Sequence, residues 1–73
     1  MTEAADKIKK RSITIAGHRT SITLEDIFWD ALKDIAKAKG LSRQQIIIEI
    51  DEARTGSLSS ALRVYALREA LRD

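Results

Sequence analysis

Arg19, Ser21 and Thr23 are the residues of this chain whose types and spacing best suit chemistry, and that chemistry is recognition, not reaction. They alternate with Thr20, Ile22 and Leu24. In an extended strand the guanidinium and two hydroxyls therefore line one side, and the more apolar residues line the other. A guanidinium offers a planar fork of donors, and a hydroxyl both donates and accepts. Such a row can hydrogen-bond to a polar surface; with no base beside it, it has no means of attacking one.

Reaction chemistry lacks its parts elsewhere as well. The 73 residues include no cysteine and one histidine, His18. There is no glycine-rich phosphate loop and no metal-ligand spacing, so the usual acid, base and nucleophile sets cannot be assembled within one chain. Glu49, Asp51 and Glu52 lie close together, but carboxylates on a helix face are usually solvated charges. No enzyme, metal site or cofactor is expected. The formal net charge is only +2, yet Lys7, Lys9, Lys10, Arg11 and Arg19 run together with no acid between them. A basic run alone is as readily a solvated arm as a binding surface. Its place beside a hydrogen-bonding strand face favours binding.

The elements that must hold these residues are legible from periodicity. A strand is expected over about 19–24 and helices over about 25–39, 43–54 and 58–71, in a single domain covering 11–73 after a disordered leader at 1–10. In the first helix Phe28, Leu32 and Ile35 recur at helical spacing, with Ala31 and Ala36 beside them, while Asp30, Lys33, Asp34 and Lys37 fall off the stripe. Thr23 with Asp26 fits a capping box at its start, and Gly40 fits the left-handed position past its end. Ser42 with Gln45 fits a second capping box. The second helix carries Ile46, Ile47, Ile48 and Ile50, more than one apolar stripe, which predicts burial on two sides, by its own subunit and by a partner. The third, with Leu58, Ala61, Leu62 and Tyr65 as apolar positions and Val64, Leu67 and Leu71 as further candidates, is capped by Ser57 or Ser59. Trp29 and Tyr65 are read as packing residues.

Residues 11–16, RSITIA, are also strand-like, but with a parity problem: Ile13 and Ile15 are odd-numbered, whereas Ile22 and Leu24 are even. Gly17 resolves it either as a bulge that flips the register or as a tight turn that separates two strands. The sequence leaves both open.

A chain this short has a marginal core, and without disulfides or metal the remaining way to enlarge it is oligomerisation. A lone strand also leaves both edges unpaired, and its simplest partner is the same strand of a second copy, forming a twofold antiparallel ribbon. The fold expected is thus mostly α with one short β-strand, its ribbon showing Arg19, Ser21 and Thr23 outward. A two-stranded ribbon fits the DNA major groove, where arginine can take guanine bidentately and hydroxyls adapt to several bases.

With its alternating strand ending at Leu24, with Phe28, Leu32, Ile35 and Ala36, and with Gly40, Ser42, Ile46 and Ile47, the stretch 18–54 resembles a ribbon-helix-helix DNA-binding domain of the Arc-like repressor superfamily. The opening RSITIAGHRTSITLE and the later LSSALRVYAL resemble a bacterial subfamily with a third helix. The resemblance implies an intertwined homodimer, with Ile22, Leu24, Phe28, Leu32, Ile35, Ile46, Ile47 and Ile50 in the dimer core. It implies a sequence-specific transcriptional regulator, most simply a repressor, that binds double-stranded DNA. Base contacts carry over onto Arg19, Ser21 and Thr23, and phosphate contacts onto Ser42 and Arg43 at the start of helix two, with Arg11 and His18 beside them. The alternative is an antitoxin-like or adaptor dimer whose helix Leu58 to Leu71 engages a partner protein. No apolar run reaches the roughly 20 residues that cross a bilayer, and the polar N-terminus lacks a signal-peptide core. A cytoplasmic location is expected.

Overall fold

The computed structural model describes residues 7–72; residues 1–6 of the leader expected at 1–10 lie outside them. Two strands, β1 (Ile8–Ile15) and β2 (His18–Glu25), precede three helices, α1 (Asp26–Lys39), α2 (Arg43–Ala53) and α3 (Leu58–Leu71). β1 and β2 pair antiparallel within the chain. The expectation of one short strand, paired only with a second copy, is therefore corrected: β2 already has a partner in its own chain. Residues 8–10, assigned from sequence to the leader, belong to β1.

Gly17 acts in a turn and not in a bulge. Ala16 and Gly17 both have positive φ, 52° and 82°, as in the two-residue type I′ turn whose twist matches the flanking strands. With only two residues between the strands, each odd-numbered residue of β1 faces an even-numbered residue of β2: Arg11 opposite Ile22, Ile13 opposite Thr20, Ile15 opposite His18. The parity conflict disappears, because Ile13 and Ile15 share a face with Ile22 and Leu24. Gly17 meets φ > 0 at no steric cost, whereas Ala16 carries the Cβ penalty of the left-handed region.

The helix ends follow local chemistry at three of the four sites where a cap was expected. Gly40 adopts φ 72° and closes α1, with Gly40 N–H donating to the Lys37 carbonyl at 3.2 Å and Leu41 N–H to that of Ala36 at 2.8 Å, the bond pair of a Schellman ending. At α2, Gln45 N–H donates to Ser42 Oγ at 3.1 Å and Ser42 N–H to Gln45 Oε1 at 2.7 Å, completing the capping box. Ser57 Oγ accepts from Ser60 N–H at 3.1 Å at the start of α3. The exception is α1. Its N-cap is Glu25, with no side-chain cap bond, because β2 stays in strand register through that residue and keeps the Thr23 hydroxyl out of reach.

The core is Ile22, Leu24, Leu32, Ala36, Ile46, Ile47, Leu62 and Ala66. Leu24, Leu32 and Leu62 are each 0% exposed, so the inner face of β2, α1, α2 and α3 close over one another inside a single chain. Phe28, Ile35 and Ile50, expected in a dimer core, are only partly buried at its margin. Two ion pairs tie α3 down: Arg63 Nε to Glu25 Oε1 at 2.8 Å, and Lys39 Nζ to Glu69 Oε1 at 3.6 Å.

Candidate nucleic-acid interface

The hairpin register sorts every strand residue by face. Opposed residues of an antiparallel pair project to the same side, so the face turned from the helices carries Lys10 opposite Thr23, Ser12 opposite Ser21, and Thr14 opposite Arg19. All six are exposed. Among the described residues no hydrogen bond or ion pair engages the side chain of any of them. Arg19, Ser21 and Thr23 are brought together as the alternation predicts. Lys10, Ser12 and Thr14 were missed, although a two-residue turn at Ala16–Gly17, had it been chosen, would have placed them there by parity alone.

The inner face treats its cations differently. Arg11 Nη2 donates to Asp26 Oδ1 at 2.5 Å, and Lys9 Nζ lies 3.3 Å from Asp26 Oδ2. Arg11, named beside the phosphate-contacting set on sequence grounds, is therefore turned away from the outward face. Its guanidinium also lies 4.5 Å from the Trp29 ring centroid, and that of Arg43 lies 4.1 Å from the same ring. Both are within the range of cation–π attraction. Trp29 thus touches two cations supplied by β1 and by the first turn of α2. Burial, and then the charge of Arg11, make the Arg43 guanidinium somewhat easier to deprotonate, with Asp30 opposing; arginine remains a cation all the same. No local signal marks this cluster, because its members lie 14 or more positions apart in the chain.

A second bond fixes the hairpin against α2. Gln44 Nε2 donates to the Thr14 carbonyl at 2.7 Å. The free amides at the start of α2 thereby sit beside the β1 edge of the hairpin, next to an open cavity of about 420 Å³ bordered by Ser12, Thr14, Arg19, Trp29, Arg43 and Gln44. Ser42 keeps its hydroxyl for the cap. His18 is exposed at the turn, opposite Ile15. Glu25, the one acid of outward parity among the described strand residues, is held below the usual glutamate range, chiefly by the hydrogen bond from Arg63. Among the described residues no group of His, Cys, Asp and Glu is placed to hold a metal ion, and no helix is long and apolar enough to cross a membrane.

The chain matches the ribbon-helix-helix domain family over residues 8–70. It is similar in structure to an uncharacterized protein from Bordetella pertussis Tohama I, with a TM-score of 0.81 and 28% sequence identity over 97% of this chain. The match spans 62% of that protein's length. No curated relative matches the chain in sequence.

Proposed function

The chain belongs to the ribbon-helix-helix domain family, and from that premise we propose that it is a homodimeric, sequence-specific regulator of transcription, a repressor, that reads the DNA major groove with the outward face of its hairpin. Membership of this family implies DNA binding, and its members are typically not enzymes. The observation that carries the reading to particular residues is the unengaged polar face: Arg19, Ser21 and Thr23 project together from a strand whose other side carries Ile22 and Leu24 into the core. In this reading Arg19 takes a guanine edge, and Ser21 and Thr23 adapt to neighbouring bases. Phosphate is met by the free amides at the Ser42–Arg43 start of α2, as helix N-termini favour anions, and by His18 beside the turn. Arg11 adds its charge from the inner face.

One observation favours a second reading. α3 folds back, with Leu62 and Ala66 in the core, yet Val64, Leu67 and Leu71 remain 53%, 55% and 74% exposed at helical spacing on one side. That stripe suits the antitoxin-like or adaptor alternative, in which α3 also engages a partner protein.

The test is selection of bound sequences from random DNA, followed by Arg19→Ala on the recovered site. A recovered half-site repeated about a twofold axis is expected. The variant should lose about 1–3 kcal/mol of discrimination at one base per half-site. No enrichment would sink the regulator reading, and an equal loss on every sequence would reduce Arg19 to a phosphate contact.

A further inference from the structure

We infer that β1 forms the flank of this interface that grips phosphate, with Lys10 as its charged contact, while β2 alone lies over the bases. The inference rests on the DNA-binding reading above and adds to it a division of labour between the two strands.

The argument starts from the hairpin edges. Asp26 N–H donates to the Lys7 carbonyl at 3.1 Å. In an antiparallel ladder bonded and non-bonded pairs alternate, so Lys9 with Leu24, Arg11 with Ile22, Ile13 with Thr20 and Ile15 with His18 are the bonded pairs. The intervening residues turn their backbone groups off the outer edges. On β1 the edge is occupied at Thr14, whose carbonyl accepts from Gln44 of α2. On β2 the backbone groups of Arg19, Ser21 and Thr23 meet no partner among the described residues. That edge borders an open groove of about 750 Å³, whose far wall includes Asp51, Arg54, Ser57 and Arg63. A second copy of this chain therefore adds its strand at β2. Pairing about a twofold axis at Ser21 sets Arg19 against the partner's Thr23 and satisfies all three residues of each edge. The sheet is then four-stranded, with the β2 strands central and the β1 strands outside.

Dimensions assign the roles. Strands lie about 4.8 Å apart, so the central strands run about 2.4 Å from the twofold axis and the outer strands about 7 Å from it. The major groove is about 12 Å wide, which puts its walls about 6 Å from the same axis. Two strands fit between the walls; the outer two meet the phosphates. The side chains β1 offers there are Lys10, Ser12 and Thr14, one cation and two hydroxyls, which are suitable phosphate donors. The neighbouring cations Lys9 and Arg11 are committed to Asp26, leaving Lys10 as the strand's outward charge with no ion-pair partner among the described residues.

Lys10→Ala, with Lys10→Gln as a variant that keeps the aliphatic stem, is to be compared with the unaltered chain on the selected site, with circular dichroism confirming the fold of each. Affinity is measured across a series of salt concentrations. Each phosphate contact contributes about 0.9 to the slope of log K against log salt. Losing one Lys10 per subunit should thus flatten the slope by about 1.8, weaken all sequences equally and leave base preference unchanged. An unchanged slope in a protein that binds DNA overturns the flank assignment alone, as does a changed preference at one base. Absence of DNA affinity in the unaltered chain removes the underlying reading and this inference together.

Discussion

The two faces of the hairpin are built from similar residues and put to opposite use. On the inner face Lys9 and Arg11 converge on Asp26, Arg11 stacks on Trp29, and Ile22 and Leu24 enter the core. On the outer face Lys10 and Arg19 have no ion-pair partner among the described residues and lie beside four hydroxyl-bearing residues, Ser12, Thr14, Ser21 and Thr23. Lys9 and Lys10 are adjacent in sequence, and residue type cannot tell them apart. What separates them is parity, which the two-residue turn determines. A cation held by a carboxylate and an aromatic ring spends its hydrogen-bonding capacity inside the molecule, whereas one with no partner keeps that capacity for a ligand.

The widest gap between the faces should appear in stability at neighbouring positions. Leu24 is 0% exposed, and Leu24→Ala removes buried methyl groups and opens a cavity, at a cost of about 2–5 kcal/mol. Thr23→Ala, one residue away on the outer face, should stay within about 0.5 kcal/mol. Chemical unfolding at fixed protein concentration measures both. A costly Thr23→Ala would show that the outer face has a structural role and would break the contrast.

The two arginines sharpen it further. Arg11→Ala deletes a partly buried, charge-assisted bond to Asp26 and one cation from the Trp29 ring, and should cost about 1–3 kcal/mol. Arg19→Ala deletes no hydrogen bond or ion pair among the described residues and should change stability by at most about 0.5 kcal/mol. Thermal unfolding of the pair decides the matter, since equal losses would mean that the inner cluster adds nothing to the fold.

Much of this architecture is written locally. The Ser42–Gln45 capping box and the Gly40 ending depend on residues within five positions of each other, and the Phe28, Leu32, Ile35 stripe needs only helical periodicity. The alternation that turns Arg19 outward is equally local. What was not legible is pairing. β2 asks for a strand partner but does not name it, and Gly17 tolerates bulge and turn alike, so the hairpin, the reach of β1 to Ile8 and the outward Lys10, Ser12 and Thr14 stayed hidden together. The Arg11, Trp29 and Arg43 cluster was hidden for the same reason, since only the folded chain brings its members into contact. The isoleucines of α2 predict burial on two sides; within one chain Ile46 and Ile47 are buried, while Ile48 and Ile50 remain partly open.

Glu25 is the exception to the rule of faces, and it yields the smallest effect. By parity it belongs to the outward set, opposite Ile8, yet Arg63 of α3 holds it at 2.8 Å. An unpaired carboxylate there would repel phosphate, and the ion pair cancels that charge. Its hydrogen bond from Arg63, aided by a backbone bond, lowers the Glu25 pKa below the ordinary value of 4.5. The unfolded chain therefore takes up this proton more readily than the folded one. The pair's contribution is complete above the ordinary glutamate value and fades as pH falls through the lowered folded value. Both side chains keep part of their surface in solvent, which screens the pair, so the contribution is small. Arg63→Ala should accordingly be slightly less stable than the unaltered chain at neutral pH, with the two unfolding midpoints converging as the solution is acidified past that range. A gap that persists undiminished in acid would mean that Arg63 stabilises the fold through its aliphatic stem, and that Glu25 is not the partner that matters.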